Sequence, residues 1–95
     1  MSVRAPLRER LRDPGYTPGS RDVGELFTLL ADDEDTVERA TRALRRFGLA
    51  AAGRAMGEFE RAEPPLRARL VAVVGHVARD APEASEAREF LVRCL

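Results

Sequence analysis

Two stretches about thirty residues apart decide the fold: TVERATRALRRF, running Thr36–Phe47, and LRARLVAVVGHV, running Leu66–Val77. Laid over each other, Ala40, Ala43, Leu44 and Phe47 fall on Leu70, Val73, Val74 and Val77, and Arg39 falls on Arg69. In both, the apolar positions recur at the three- and four-residue spacing that gathers one face of an α-helix. Each is followed by a short break and a second apolar helical pattern. Self-similarity of this period marks helix pairs that bury their apolar faces by stacking on neighbours rather than around one central core. The pattern predicts that Ala40, Leu44, Phe47, Leu70, Val73, Val74 and Val77 are buried together between the third and fifth helices of the chain.

Working outward, Asp32, Asp33, Glu34 and Asp35 precede the first stretch, where the positive end of a helix dipole favours acid, and Gly48 is placed to stop it. Before that run, Val23, Leu26, Phe27 and Leu30 form one face of a second helix, with Ser20 or Asp22 as its cap. The segment DPGYTPGS, residues 13–20, holds two Pro and two Gly and reads as an irregular connector. Val3, Leu7 and Leu11 predict a first helix over residues 4–12. On the other side, a fourth helix is expected over 49–62, with Leu49, Ala52, Met56 and Phe59 inward. Gly53 and Gly57 inside it cost about 1 kcal/mol each relative to Ala, which predicts close approach of a neighbouring helix there. Pro64 and Pro65 open the fifth helix, Asp80-Ala81-Pro82 ends it, and a sixth runs from about residue 83 onward. The reading is all-α, about six helices with short connectors and antiparallel neighbours: residues 1–20 are an N-terminal helix and connector, and 21–95 are helical repeats.

Composition bounds the function. The chain has 95 residues, one small domain, and is 44% hydrophobic but only 5% aromatic, so Leu, Val and Ala do the packing. All sixteen basic residues are Arg, and sixteen Asp and Glu cancel them, so net charge gives no global pull toward nucleic acid or an anionic membrane. The absence of Lys, Asn, Gln, Ile and Trp fits a GC-rich bacterial source. A single cysteine, Cys94, suits a reducing cytoplasm. No apolar run approaches the roughly 20 residues of a membrane span, and no secretory leader is visible at the N-terminus, so a cytoplasmic location is expected.

With the repeat placed, the chain resembles HEAT repeats, specifically the short bacterial type of phycobilisome-lyase-like HEAT proteins. DDEDTVERATRALRRFG is similar to that family's first helix, and RDVGELFTLLADDED to the end of a preceding second helix. EASEAREFLVRCL is similar to another second helix. The resemblance covers residues 21–95 and implies a right-handed α-solenoid of antiparallel helix pairs, here the N-terminal part of a longer one. The alternative is a closed six-helix bundle of death-domain type, which suits the length but leaves the repeat unexplained.

Candidate binding residues fall into two sets. Arg39, Arg42 and Arg46 lie within about 60° on the third helix, and the thirty-residue shift carries Arg39 and Arg46 onto Arg69 and His76. Together they predict a cationic ladder suited to phosphate or acidic peptide. The competing role is a solvated flank, with Asp35–Arg39 and Glu38–Arg42 as local acid-to-base pairs. The second set follows from the resemblance, in which second helices line the binding surface: Arg54, Glu58, Arg61 and Arg88. Asp80 stands one turn from His76, within hydrogen-bonding reach. Cys94 is expected as a buried, inert thiol beside Phe90, and Tyr16 as a packing residue of the connector. One His and one Cys without ligand spacing give no metal site, and no catalytic triad, phosphate loop or nucleotide fingerprint is present, so neither enzyme activity nor a cofactor is expected.

The expected function is a macromolecular binding or scaffold module that contacts protein, or an adjacent domain, through its second-helix surface. The alternative is a nucleic-acid-binding appendage of a nucleic-acid-modifying enzyme, using the arginine ladder on phosphates. A lyase-type enzyme subunit is a third class suggested by the resemblance alone, and it lacks a nucleophile–base pair. The sixth helix carries an unusually wide apolar band, so further repeats or self-association are expected through Phe90, Leu91, Val92 and Leu95.

Overall fold

A computed structural model describes residues 6–81 and 83–94. Among these, six α-helices and no strands occur: α1 (Leu7–Arg10), α2 (Val23–Thr28), α3 (Glu34–Arg45), α4 (Leu49–Phe59), α5 (Pro64–Asp80) and α6 (Ser85–Arg93). Short 3₁₀ turns, Ser20–Asp22 and Leu29–Ala31, bracket α2. The Cα radius of gyration is 13.5 Å, close to the value of about 12–13 Å for a compact chain of this length. No helix of the described residues is long and apolar enough to cross a membrane.

Local chemistry sets the helix ends. The Asp33 carboxylate accepts the Thr36 N–H at 2.8 Å, capping α3, and Glu34 and Asp35 occupy its first turn. The Asp35–Arg39 and Glu38–Arg42 pairs form as expected, at 3.4 and 3.0 Å. Gly48 has φ 58° and ψ −131°, a region that essentially only glycine occupies, and it turns α3 directly into α4. Pro64 and Pro65 fill the first turn of α5, where their missing N–H groups cost nothing. The first helix is shorter than the predicted 4–12. Pro6 is its N-cap and the chain leaves the helix after Arg10, while Val3 lies outside the described residues. Asp22 does not cap α2; its carboxylate is taken by the Gly19 N–H and the Tyr16 hydroxyl.

Helix α5 is the centre of the packing. It lies against α3, α4, α6 and the turn closing α2, while α2 packs on α3 and α4 packs on α6. Ala40, Leu44, Leu70, Val73, Val74 and Val77 are buried as predicted; Phe47 is half-buried at the edge of the same core. Leu7, Leu26, Phe27 and Leu30 complete the core from the N-terminal side. In the α4–α6 contact the Phe59 and Phe90 rings meet edge to face at 5.2 Å.

Of the residues of α4 expected inward, Ala52 is buried and Met56 and Phe59 pack against the core, but the buried face is turned toward Ala51 and Ala55 and away from Leu49. Ala51, Ala52 and Ala55 are its buried face, whereas Leu49 is 55% exposed. Gly53 and Gly57 point roughly opposite that alanine face, and a Cβ at either would meet nothing within 4 Å. The close approach predicted for the glycines is therefore absent; alanines occupy the buried face. On α6, Ala87 and Phe90 are buried, Leu91 is half-buried and Val92 is exposed. Cys94 is exposed rather than buried, because it follows the last helical residue, Arg93, where the chain leaves the core. Phe90 is buried against the core, and Leu95 lies outside the described residues.

Candidate binding grooves

The predicted second-helix residues meet in one groove. Arg54, Glu58 and Arg61 of the α4 segment face Gly24, Phe27 and Thr28 of α2, with Ala62 and Leu66 closing one end. Arg54 and Glu58, four residues apart, share one side of α4; the helix ends at Phe59 rather than at 62 as expected, and Arg61 joins them from the turn that follows. The Arg54 guanidinium sits 5.3 Å from the centre of the Phe27 ring, and its Nε is 3.7 Å from the Glu58 carboxylate. A Cβ at Gly24 would lie 3.5 Å from the same guanidinium, in ordinary contact with it, so Arg54 lies flat against α2. Arg61 is exposed and has no ion pair among the described residues. Arg88 stands apart, in a separate groove with Arg79 and Leu91.

The predicted arginine ladder is split. Arg39, Arg42 and Arg46 line a shallow groove against the connector residues Pro14, Tyr16 and Pro18. Arg39 and Arg42 are each paired with an acid of their own helix, and Arg46 is exposed. Arg69 does not join them. Its guanidinium is turned between helices, donating to the Leu30 and Asp32 carbonyls at 2.5 and 3.2 Å. Arg67 does the same at the end of α4, donating to the Phe59 and Glu60 carbonyls at 3.1 and 3.0 Å. Two arginines of α5 thus satisfy the orphan carbonyls that end α2 and α4. His76 faces Thr41, Arg42 and Arg45 across the α3–α5 seam.

Asp80 pairs with Arg45, not with His76. The two form a bidentate bridge from α5 to α3, Nε and Nη2 donating at 2.5 and 2.7 Å. The Arg45 hydrogen bonds hold the Asp80 carboxyl below the ordinary aspartate range, and Asp80 in turn raises Arg45. Asp33 and Asp22 are lowered as well, chiefly by the backbone N–H groups of Thr36 and Gly19. Tyr16 packs as expected. Its hydroxyl donates to Asp22 at 2.8 Å and accepts from Arg10 at 3.0 Å, and the Arg10 guanidinium lies over its ring.

No group of three or more His, Cys, Asp or Glu side chains among the described residues is placed to hold a metal ion. No protein-family profile, curated protein or solved structure matches the chain. Sequence reasoning missed the Arg45–Asp80 bridge, the Arg54–Phe27 stack and the carbonyl clamps of Arg67 and Arg69. Each joins residues from different helices, so the only available signal was the wheel position of each arginine beside an apolar stripe.

Proposed function

We propose that this chain is a HEAT-like binding module that holds a protein segment in the groove between α2 and α4. The observation that carries it is Arg54, held against the Phe27 ring with Glu58 alongside, beside the unpaired Arg61. An arginine whose stem and plane are already ordered loses less entropy on binding, and arginine beside an aromatic ring is the composition of interface hot spots. Apolar Phe27, Ala62 and Leu66 supply desolvated area around it. An acidic or carboxyl-terminated peptide lying along α4 would meet both guanidinium groups.

The repeat stack is part of the same proposal. Phe27 of α2 touches α4 at Arg54, and Phe90 of α6 touches it at Phe59. Those positions are about 140° apart around α4, so α2 and α6 flank it on different sides. That is the order of a stack, α2 then α4 then α6, with α3 and α5 as the second layer. The cytoplasmic placement and bacterial source belong with this reading as expectations from composition.

The test is selection of displayed peptides on the wild-type chain, with counter-selection on Arg54→Glu and Arg61→Glu. Enriched peptides should carry Asp, Glu or a free C-terminal carboxylate and lose binding to both variants. Binding of a duplex oligonucleotide that falls steeply with log salt and survives both substitutions would instead establish the phosphate-binding alternative.

A further inference from the structure

We propose that the outer edge formed by α5 and α6 seats an acidic amphipathic helix from a second polypeptide. The first support is the side of α5 turned away from the core. Ala68, Ala72 and Gly75 lie there, exposed or half-exposed, and Val71 and Ala78, half-buried against the core, border them within an arc of about 120°. A helix with one buried face ordinarily carries polar residues on the other. Here the outer arc is built mainly of small side chains that let another backbone come close, with Arg79 as the one charged group inside it.

The second support comes from inside the molecule. The thirty-residue shift carries Thr41 and Arg45 of α3 onto Val71 and Gly75 of α5. Thr41 and Arg45 are the residues with which α3 receives α5: they border His76, and Arg45 clamps Asp80. On the repeat reading proposed above, on which this second support rests, the corresponding edge of α5 is where a following helix packs. It forms a groove of about 520 Å³, floored by Val71, Gly75, Ala78 and Leu91.

Charge selects the occupant. The titratable groups bordering this groove are His76 and Arg79 of α5 and Arg88 of α6, with no carboxylate among its lining residues. Arg79 and Arg88 make no ion pair among the described residues. Gly75 stands where α3 has Arg45, so Arg79 and Arg88 are the groups here that can take a carboxylate from a neighbouring helix, as Arg45 takes that of Asp80. A second copy meeting the groove face to face would set this cationic rim against itself, as a two-fold interface requires. A helix with an apolar stripe flanked by Asp or Glu satisfies both floor and rim.

The test uses the full chain and a fluorescein-labelled helical peptide of about five turns. The peptide carries a Leu/Ala stripe flanked by Glu, and a matched peptide carries Lys at every Glu. Anisotropy titration should show saturable binding of the Glu peptide and none of the Lys peptide. A Cβ at Gly75 meets nothing within 4 Å, so Gly75→Leu fills the groove without entering the core. It should weaken binding at least about tenfold with an unchanged thermal melt. Arg79→Glu with Arg88→Glu should do the same, and this pair keeps the test alive if Gly75→Leu does not fold. Arg54→Glu should leave this binding intact, which separates this groove from the one between α2 and α4. The proposal fails if the Glu peptide does not bind, binds no better than the Lys peptide, or is insensitive to these groove substitutions. It also fails if Gly75→Leu dissolves a concentration-dependent dimer, or if a duplex oligonucleotide displaces the peptide, since the occupant is then a second copy or a nucleic acid.

Discussion

Replacing Leu44 by alanine should remove a large part of the stability of the fold, and replacing Leu49 should remove almost none. Leu44 is 0% exposed in the core, and Leu49 is 55% exposed at the start of α4. Deleting a fully buried leucine costs about 2–5 kcal/mol, the transfer loss plus the cavity left behind. A domain of 95 residues has roughly 5–14 kcal/mol in total, at about 0.05–0.15 kcal/mol per residue. At about 4–8 °C per kcal/mol for a domain of this size, a loss near 3 kcal/mol lowers Tm by about 12–24 °C. Leu49→Ala should stay within about 0.5 kcal/mol, as surface changes do. Urea unfolding followed by far-UV circular dichroism measures both, with the slope m unchanged if the denatured state is the same. Equal costs for the two substitutions, or a larger cost at Leu49, would refute the packing of α3 and α4 described above.

The other predictions concern the glycines, the helix cap and the interhelical bridge. Gly53→Ala and Gly57→Ala should each stabilise by up to about 1 kcal/mol, because both are exposed helical sites with open space at Cβ; a fall in Tm for either would show a contact at that face. Gly48→Ala should destabilise by about 1–3 kcal/mol, since φ 58° with ψ −131° strains any side chain, and an unchanged urea midpoint would contradict that geometry. Asp22, Asp33 and Asp80 titrate below the ordinary aspartate value in the folded chain, so near pH 4 the unfolded state binds more protons. Their contribution is complete above the unfolded value of about 4 and is lost as pH falls through the folded values. Urea midpoints against pH should drop on that limb, and Asp80→Asn should make the drop shallower; a limb unchanged by the substitution contradicts the role given to the Arg45 bridge.

The junctions around α3 and the start of α5, and most of the core, were legible because they depend on local rules, whereas α1 and α4 end sooner than expected. Acid before Thr36, Gly48 and Pro64-Pro65 mark ends by backbone chemistry, and the three- and four-residue spacing marks the buried faces of α3 and α5. Helix α4 was read correctly at Ala52, Met56 and Phe59 but not at Leu49, because its apolar residues spread over about 160° rather than a narrow stripe. Leu49, Ala51, Ala52, Ala55, Met56 and Phe59 leave no sharp stripe, and only tertiary packing chose alanines over Leu49 for the core. Cys94 followed the periodicity of α6 onto its apolar side, but the helix ends at Arg93 and releases it to solvent. The groove residues Arg54 and Glu58 were legible as one face of one helix, with Arg61 just past its end. Their partner Phe27 was not, since it sits on a different helix and sequence spacing carries no information across the gap.

The stacking order is tested most directly by nuclear Overhauser contacts among the side chains of α2, α4 and α6 in the isolated chain. The stack predicts contacts from the Phe90 ring to Phe59, from Phe27 to the Arg54 side chain, and from Ala40 or Leu44 to the valine methyls of α5. It predicts none between Phe27 and Phe90, which α4 separates. Strong contacts between the Phe27 and Phe90 rings, with the α3–α5 set missing, would mean a closed bundle and contradict the repeat architecture.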